Sequence, residues 1–241
     1  MRVIGHRFAR RLRRGLSIVE MLVGIAIGMF VLAGATMVVT GQLSDNRLLL
    51  LETQIQQDLR ATADIIARDV RRAGYWGHAG DTVWPAAGAV VQVNPYRGLW
   101  EDVGNGRTEL MYSRSDSLPP LSPPPIGEND VEDASEQFGF ALDAASGVIE
   151  MQIGAGGWQA LTDANVLEIT QFAAPVAVNT LVVPCAKECP GVGGTACWPR
   201  QQIRSVTIGI TGRARHDAAV QRSVGTTVRL RNDGVAGTCP A

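Results

Sequence analysis

The sequence predicts an α+β protein in which one long N-terminal helix, apolar in its first half and amphipathic in its second, packs on an antiparallel β-sheet domain. Three observations lead there. Residues 21–44 contain no charged side chain; beyond them apolar residues recur in steps of three and four as far as residue 73; from Asp81 onward the pattern changes to short alternating or apolar runs separated by turn residues. A helix followed by strands, without alternation of the two, argues for one α+β roll with its helix protruding rather than for βαβ units.

The chain opens on a basic block: residues 1–15 carry six arginines (Arg2, Arg7, Arg10, Arg11, Arg13, Arg14) and no acid. The whole chain has 22 basic and 23 acidic residues, so without these six an excess of seven acids remains. An acidic remainder repels phosphate, and no basic stripe interleaved with aromatics reverses this, so nucleic acid is not expected as a partner. A composition of 46 % hydrophobic and 19 % charged residues is ordinary for a folded chain and identifies no function.

The 24 residues 21–44 come next. As a helix rising about 1.5 Å per residue they reach roughly 36 Å, enough for a hydrocarbon core of about 30 Å. Arginines before the segment and Asp45 after it give a positive-inside arrangement that leaves the long C-terminal part on the far side of the membrane. Glu20 stands at the head of this apolar run, where a carboxylate costs about 2 to 3 kcal/mol to insert and so implies a partner. A secretory signal cut near Ala33-Gly34-Ala35 and a simple signal anchor are the alternatives. A secretory signal is not expected to hold a glutamate at that position, nor to stay uncharged so far past the cut. The Gly24-x-x-x-Gly28 spacing suits close helix packing under any of these readings.

Past Asp45 the positions Leu48, Leu51, Ile55, Leu59, Ala63, Ile66, Val70 and Ala73 form one stripe, with Thr53, Gln57, Arg60, Asp64, Arg68 and Arg71 opposite. No proline or glycine interrupts residues 42–73, so one helix over 16–73, ending before Gly74, is expected to bury its outer half against a globular domain. Strands are expected at 89–93, 108–114, 147–153, 166–172, 202–211 and 226–231, with Val206, Ile208 and Ile210 as the clearest inward set. Gly104-Asn105-Gly106 reads as a turn, the five prolines of residues 118–125 as a stiff exposed loop, and the acidic run 128–133 as a solvated loop without calcium-ligand spacing.

All four cysteines, Cys185, Cys189, Cys197 and Cys239, lie in the part assigned outside the cytoplasm, where disulfides persist. An even count fits two bridges. Of the three pairings, one bridge within residues 185–197 and one reaching Cys239 is preferred. A four-thiolate zinc site is the alternative, but C-x3-C-x7-C lacks paired C-x-x-C knuckles. The glycines near 191–195 lack the lysine of a phosphate loop. Past residue 15 the histidines are His78 and His216, and neither a G-x-S-x-G elbow nor an H-E-x-x-H pair occurs. No catalytic residue, metal or cofactor is assigned, and an enzyme is not expected. The readings open at this point are a filament subunit, a membrane-anchored periplasmic binding domain and an exported enzyme.

The segment GLSIVE, Gly15 to Glu20, between the arginines and the apolar run, resembles the class III signal of type IV prepilins. The resemblance implies cleavage after Gly15 by prepilin peptidase, N-methylation of Leu16, which stands where phenylalanine is commonest, and a charge pair in assembly between Glu20 and the terminal amine of a neighbouring subunit. IIARDVRRAGYWG, residues 65–77, and TVRLRN, residues 227–232, are similar to segments of the PilW family of minor pilins. That family often has a cysteine where His78 stands, so no disulfide at that turn is carried over. The resemblance implies a pilin-like fold with a leader at 1–15, a transmembrane and assembly half-helix at 16–44, and a periplasmic or extracellular domain at 45–241 that includes the amphipathic half-helix 45–73. It implies as partners prepilin peptidase, other minor pilins and the major pilin, and the inner-membrane assembly platform, with room for a tip adhesin. It places the chain in the bacterial inner membrane before assembly and in the surface pilus afterwards. A type II secretion pseudopilin shares the cleavage motif and the helical spine and is the runner-up.

Overall fold

The computed structural model describes residues 15, 17–82, 92–104, 106–115, 129–191 and 193–240. The chain divides into two compact units, Met1–Leu49 and Leu50–Ala241. Helix α1, Ile18–Val70, supplies the described helix of the first and the core helix of the second. Its expected first residue, Leu16, lies outside the described residues, as does most of the basic block.

Within the second unit, α1 buries Ile55, Leu59, Thr62, Ala63, Ile66 and Val70. These are one stripe at three- and four-residue spacing, and Thr62 hides its hydroxyl by donating to the Asp58 carbonyl at 2.8 Å. Leu48, assigned to the stripe from sequence, is instead exposed. The helix ends at Val70 rather than Ala73. The NH groups of Arg72 and Ala73 bond to Asp69 and Val70 in tight i to i−3 turns, while the carbonyls of residues 71–73 point to donors from the β domain.

The strands form two antiparallel sheets. The first is a meander of β1 (Leu99–Gly104), β2 (Arg107–Ser113), β3 (Gln137–Asp143), β4 (Val148–Ile153) and β5 (Trp158–Ala160), in that order. Its first hairpin turns at the Gly104-Asn105-Gly106 site; Asn105 lies outside the described residues and Gly106 has φ 74°. The second sheet is built on the 15-residue β8 (Arg200–Ala214). On one edge lie β6 (Leu167–Ala173) and β7 (Val176–Val182), on the other β9 (Asp217–Arg229) and β10 (Gly234–Ala236). β6 and β7 run on in one direction across a break at Ala174 and Pro175, because proline has no NH to give the ladder.

The core is a single cluster between the helix stripe and the two sheets: Leu110, Tyr112, Phe140 and Ile149 from the first, Leu167, Val206, Ile208, Ile210 and Val228 from the second. A Cβ at Gly212 would stand 2.8 Å from Leu167 Cδ1 and 3.3 Å from Leu59 Cδ2, so the ends of these leucines fill the space that the glycine leaves open.

The expected strand at 89–93 is not formed in its described residues, Gln92 and Val93; residues 89–91, the proline loop 118–125 and Glu128 lie outside the described residues. Strands β1, β3, β5, β7 and β10 had no counterpart in the sequence reading. β3 is buried from Phe138 through Leu142, so it lacks the alternation that marks a half-buried strand. β7 is exposed along most of its length, so alternation is lost for the opposite reason.

Candidate functional site

The processing segment comes first in the chain. Ser17 is the residue before α1, and Glu20 is its third helical position. Glu20 Oε2 accepts from the Ser17 backbone NH at 3.3 Å, and Ser17 Oγ accepts from the Val19 NH at 3.4 Å. The S-x-x-E spacing thus makes the reciprocal cap that starts a helix, with the Glu20 carboxylate also favoured by the positive end of the helix dipole. Gly15 is exposed beside it, and Leu16 lies outside the described residues. From Ile18 to Leu43 the large apolar side chains are exposed; Phe30 retains 82 % of its surface and Met37 79 %. The helix is long and apolar enough to cross a membrane.

The second element of the site is the end of α1, where the segments 65–77 and 227–232 meet. Arg231 donates its backbone NH to the Arg71 carbonyl at 3.0 Å, and Asn232 Nδ2 donates to the carbonyls of Arg72 and Ala73 at 3.2 and 3.1 Å. The carbonyls of the three residues after the helix are therefore capped by the segment that follows β9, and that of Arg72 also accepts from the Tyr75 NH. Gly74 follows with φ 73°, the left-handed conformation that closes a helix; its NH bonds to the Ser113 carbonyl and its carbonyl accepts from Asn94 Nδ2.

Beneath this turn lies Arg204, buried to 6 % exposure, donating to the carbonyls of Arg97 at 2.7 Å and Asn232 at 3.0 Å. Burial pulls its pKa down, and nearby Asp233 works in the opposite direction. On the helix side, Asp69 accepts from the Tyr112 hydroxyl and pairs with Arg114, whose guanidinium also lies 4.0 Å over the Phe138 ring. Burial, then the Asp69 carboxylate, push the Tyr112 phenol up, so it stays a donor to Asp69 through the physiological range. Asp69 in the ARDVRR run is thus a structural acceptor.

Trp76 packs into the unit at 4 % exposure and donates Nε1 to Asp130 Oδ1 at 2.8 Å, while His78 Nδ1 stands 3.1 Å from the same oxygen. Tyr75 stays half exposed and serves through its carbonyl, which accepts from the Ser115 NH. Sequence reasoning missed Ser17, Arg204 and the acceptor role of Asp69. Ser17 carried a readable signal in its spacing to Glu20. Arg204 did too, since it shares the parity of the inward Val206, Ile208 and Ile210.

The four cysteines form two bridges, Cys185–Cys239 and Cys189–Cys197, and hence are not zinc ligands. Among the described residues no group of His, Cys, Asp and Glu is placed to hold a metal ion. The first bridge closes a 54-residue separation and the second one of eight. By loop entropy the double change Cys185→Ser/Cys239→Ser should lower stability by about 4 kcal/mol and Cys189→Ser/Cys197→Ser by about 2.5 kcal/mol. Denaturant unfolding of the oxidised chain and the two variants checks both size and order.

An apolar N-terminal helix that begins at a Ser17–Glu20 cap, with an antiparallel β domain built on its later turns, defines a pilin-like protein. Comparison with known families gives two matches: the prokaryotic N-terminal methylation motif over residues 10–36, and prepilin peptidase-dependent protein B over residues 48–230. The second covers well over half of the chain, which belongs to the prepilin peptidase-dependent protein B family. No curated protein and no solved structure matches the chain. Pilin-like families are structural substrates rather than enzymes, and dependence on prepilin peptidase follows from the motif and the family together.

Proposed function

We propose that the chain is a minor pilin of the PilW kind, cleaved by prepilin peptidase after Gly15, methylated on Leu16, and incorporated into a type IV pilus through residues 16–44. The observation that carries this reading is the methylation motif at residues 10–36, which runs into a helix whose apolar side chains are exposed among the described residues. In a bilayer, and then in a bundle of like helices, that surface is buried; in water it is not tolerated. Residues 1–15 are the leader and residues 45–241 the domain outside the cytoplasm, consistent with two disulfides in that part. The subunit's partners are then the peptidase, the inner-membrane assembly platform, and the other minor and major pilins, and its role is in initiating or supporting assembly, with adhesion or twitching motility downstream.

The test is fractionation. In cells that make pili, the processed chain should appear in sheared surface filaments as a minor component, and its deletion should lower pilus number. Retention in membranes with unchanged pili, together with a defect in protein secretion on deletion, would replace this reading by that of a secretion pseudopilin.

A further inference from the structure

We propose that a cleft beside the end of α1, rimmed by Arg68, Arg71, Arg72 and Arg231, docks a carboxylate-rich polypeptide segment of a neighbouring filament subunit. The cleft has a volume of about 480 Å³ and takes Ile65 and Met151 as apolar walls. It lies wholly within the second unit.

Several arginines of the second unit have an internal acid partner. Arg107 pairs with Glu109 and Glu150, Arg213 and Arg215 with Glu168, Arg222 with Glu52, and Arg229 with Asp233. Around the cleft this fails. Among the described residues, the guanidinium groups of Arg68, Arg71 and Arg231 make no hydrogen bond or ion pair, and Arg72 reaches only Asp69 at 3.9 Å. Asp69, the acid in the lining, is already engaged by Tyr112 and Arg114. A simpler role, capping the helix end, is taken by other groups: the carbonyls of residues 71–73 accept from Arg231 NH and Asn232 Nδ2, not from guanidinium groups. Four like charges thus converge on a cleft in a chain that is acidic overall once its leader is removed.

Charge complementarity calls for an anion, and the neighbouring surface selects its kind. A second cleft of about 350 Å³ shares Ile65 as a wall and is lined by Asp58 and Asp163. A nucleic-acid strand following this flank would run from the arginines onto these carboxylates, and each further phosphate would be repelled. A short acidic stretch with an apolar residue beside it meets both the guanidinium groups and the Ile65 and Met151 walls, and planar guanidinium groups suit bidentate carboxylate. The assignment of the partner as a subunit rests on the filament reading given above.

The test uses the full chain in piliated cells, with a benzophenone amino acid in place of Ile65. Illumination should yield an adduct to a peptide of another prepilin-type chain, rich in Asp and Glu, mapped by mass spectrometry. Arg71→Glu/Arg231→Glu should cut the adduct about ten-fold, while Arg71→Lys/Arg231→Lys keeps most of it. Both variants leave the capping backbone groups in place, and proteolytic resistance of the domain checks that they fold. An adduct indifferent to charge reversal, an adduct to nucleic acid, or no polypeptide adduct overturns the proposal. Leader removal is read on the same blot: an unprocessed chain defeats the filament reading, whereas a processed, filament-borne chain with charge-independent adducts defeats this inference alone.

Discussion

Arg204→Met should destabilise the β domain by about 3 kcal/mol, although methionine fills nearly the same space. The guanidinium is buried and its two bonded acceptors, the carbonyls of Arg97 and Asn232, are left without donors. Hydrogen bonds from a charged donor contribute about 1.5 to 3 kcal/mol each, and the part-exposed carbonyls recover some of this from water. Asn232 also caps the Arg72 and Ala73 carbonyls, so the loss spreads to the helix end. Gly74 is coupled to this site. A Cβ there would stand 2.5 Å from Arg204 Nη2 and would have to adopt φ near 73°. Gly74→Ala should therefore cost more in the native chain than in the Arg204→Met background, where only the left-handed strain of about 1 kcal/mol persists. Urea unfolding of the full chain in detergent, for the two single variants and the double, measures the coupling; additive losses would mean that Arg204 and Gly74 do not meet.

Glu20→Gln and Glu20→Val should both be processed and membrane-resident, yet fall about ten-fold in sheared filaments. The cap geometry gives the comparison its force. Gln can replace Glu in the reciprocal cap with the Ser17 NH, whereas Val cannot. If the carboxylate serves only to start α1, Glu20→Gln should behave as wild type and Glu20→Val should not. If its charge pairs with the methylated amine of a neighbouring Leu16 in a low-dielectric bundle, both changes remove the attraction equally. Insertion itself should become easier by up to about 2 to 3 kcal/mol. Blotting sheared filaments and membranes at matched expression separates the cases, and wild-type recovery of Glu20→Gln would remove the charge-pairing role.

Much of the helix was legible because its cause is local. Apolar spacing marks the buried stripe from Ile55 to Ala73, and glycine marks its end. Its last turn was not legible, because the carbonyls of residues 71–73 are claimed by Arg231 and Asn232, some 160 positions away. Strands with one covered face, such as β8 with Val206, Ile208 and Ile210 inward, showed their alternation; β3, covered on both faces, and β7, covered on neither, did not. The division into two sheets depends on strand pairing across the chain, which periodicity does not encode. At the site, residues 65–77 and 227–232 were recognisable as segments, but only the fold shows that one caps the other.

Processing is the claim on which the rest depends, and the mass of the mature N-terminal peptide tests it most directly. In cells with prepilin peptidase the purified chain should begin at Leu16 with one added methyl group, and Gly15→Ala should retain the leader because a side chain at that position obstructs the cut. A wild-type chain that still begins at Met1 in those cells, or one cut near Ala35, would contradict the account.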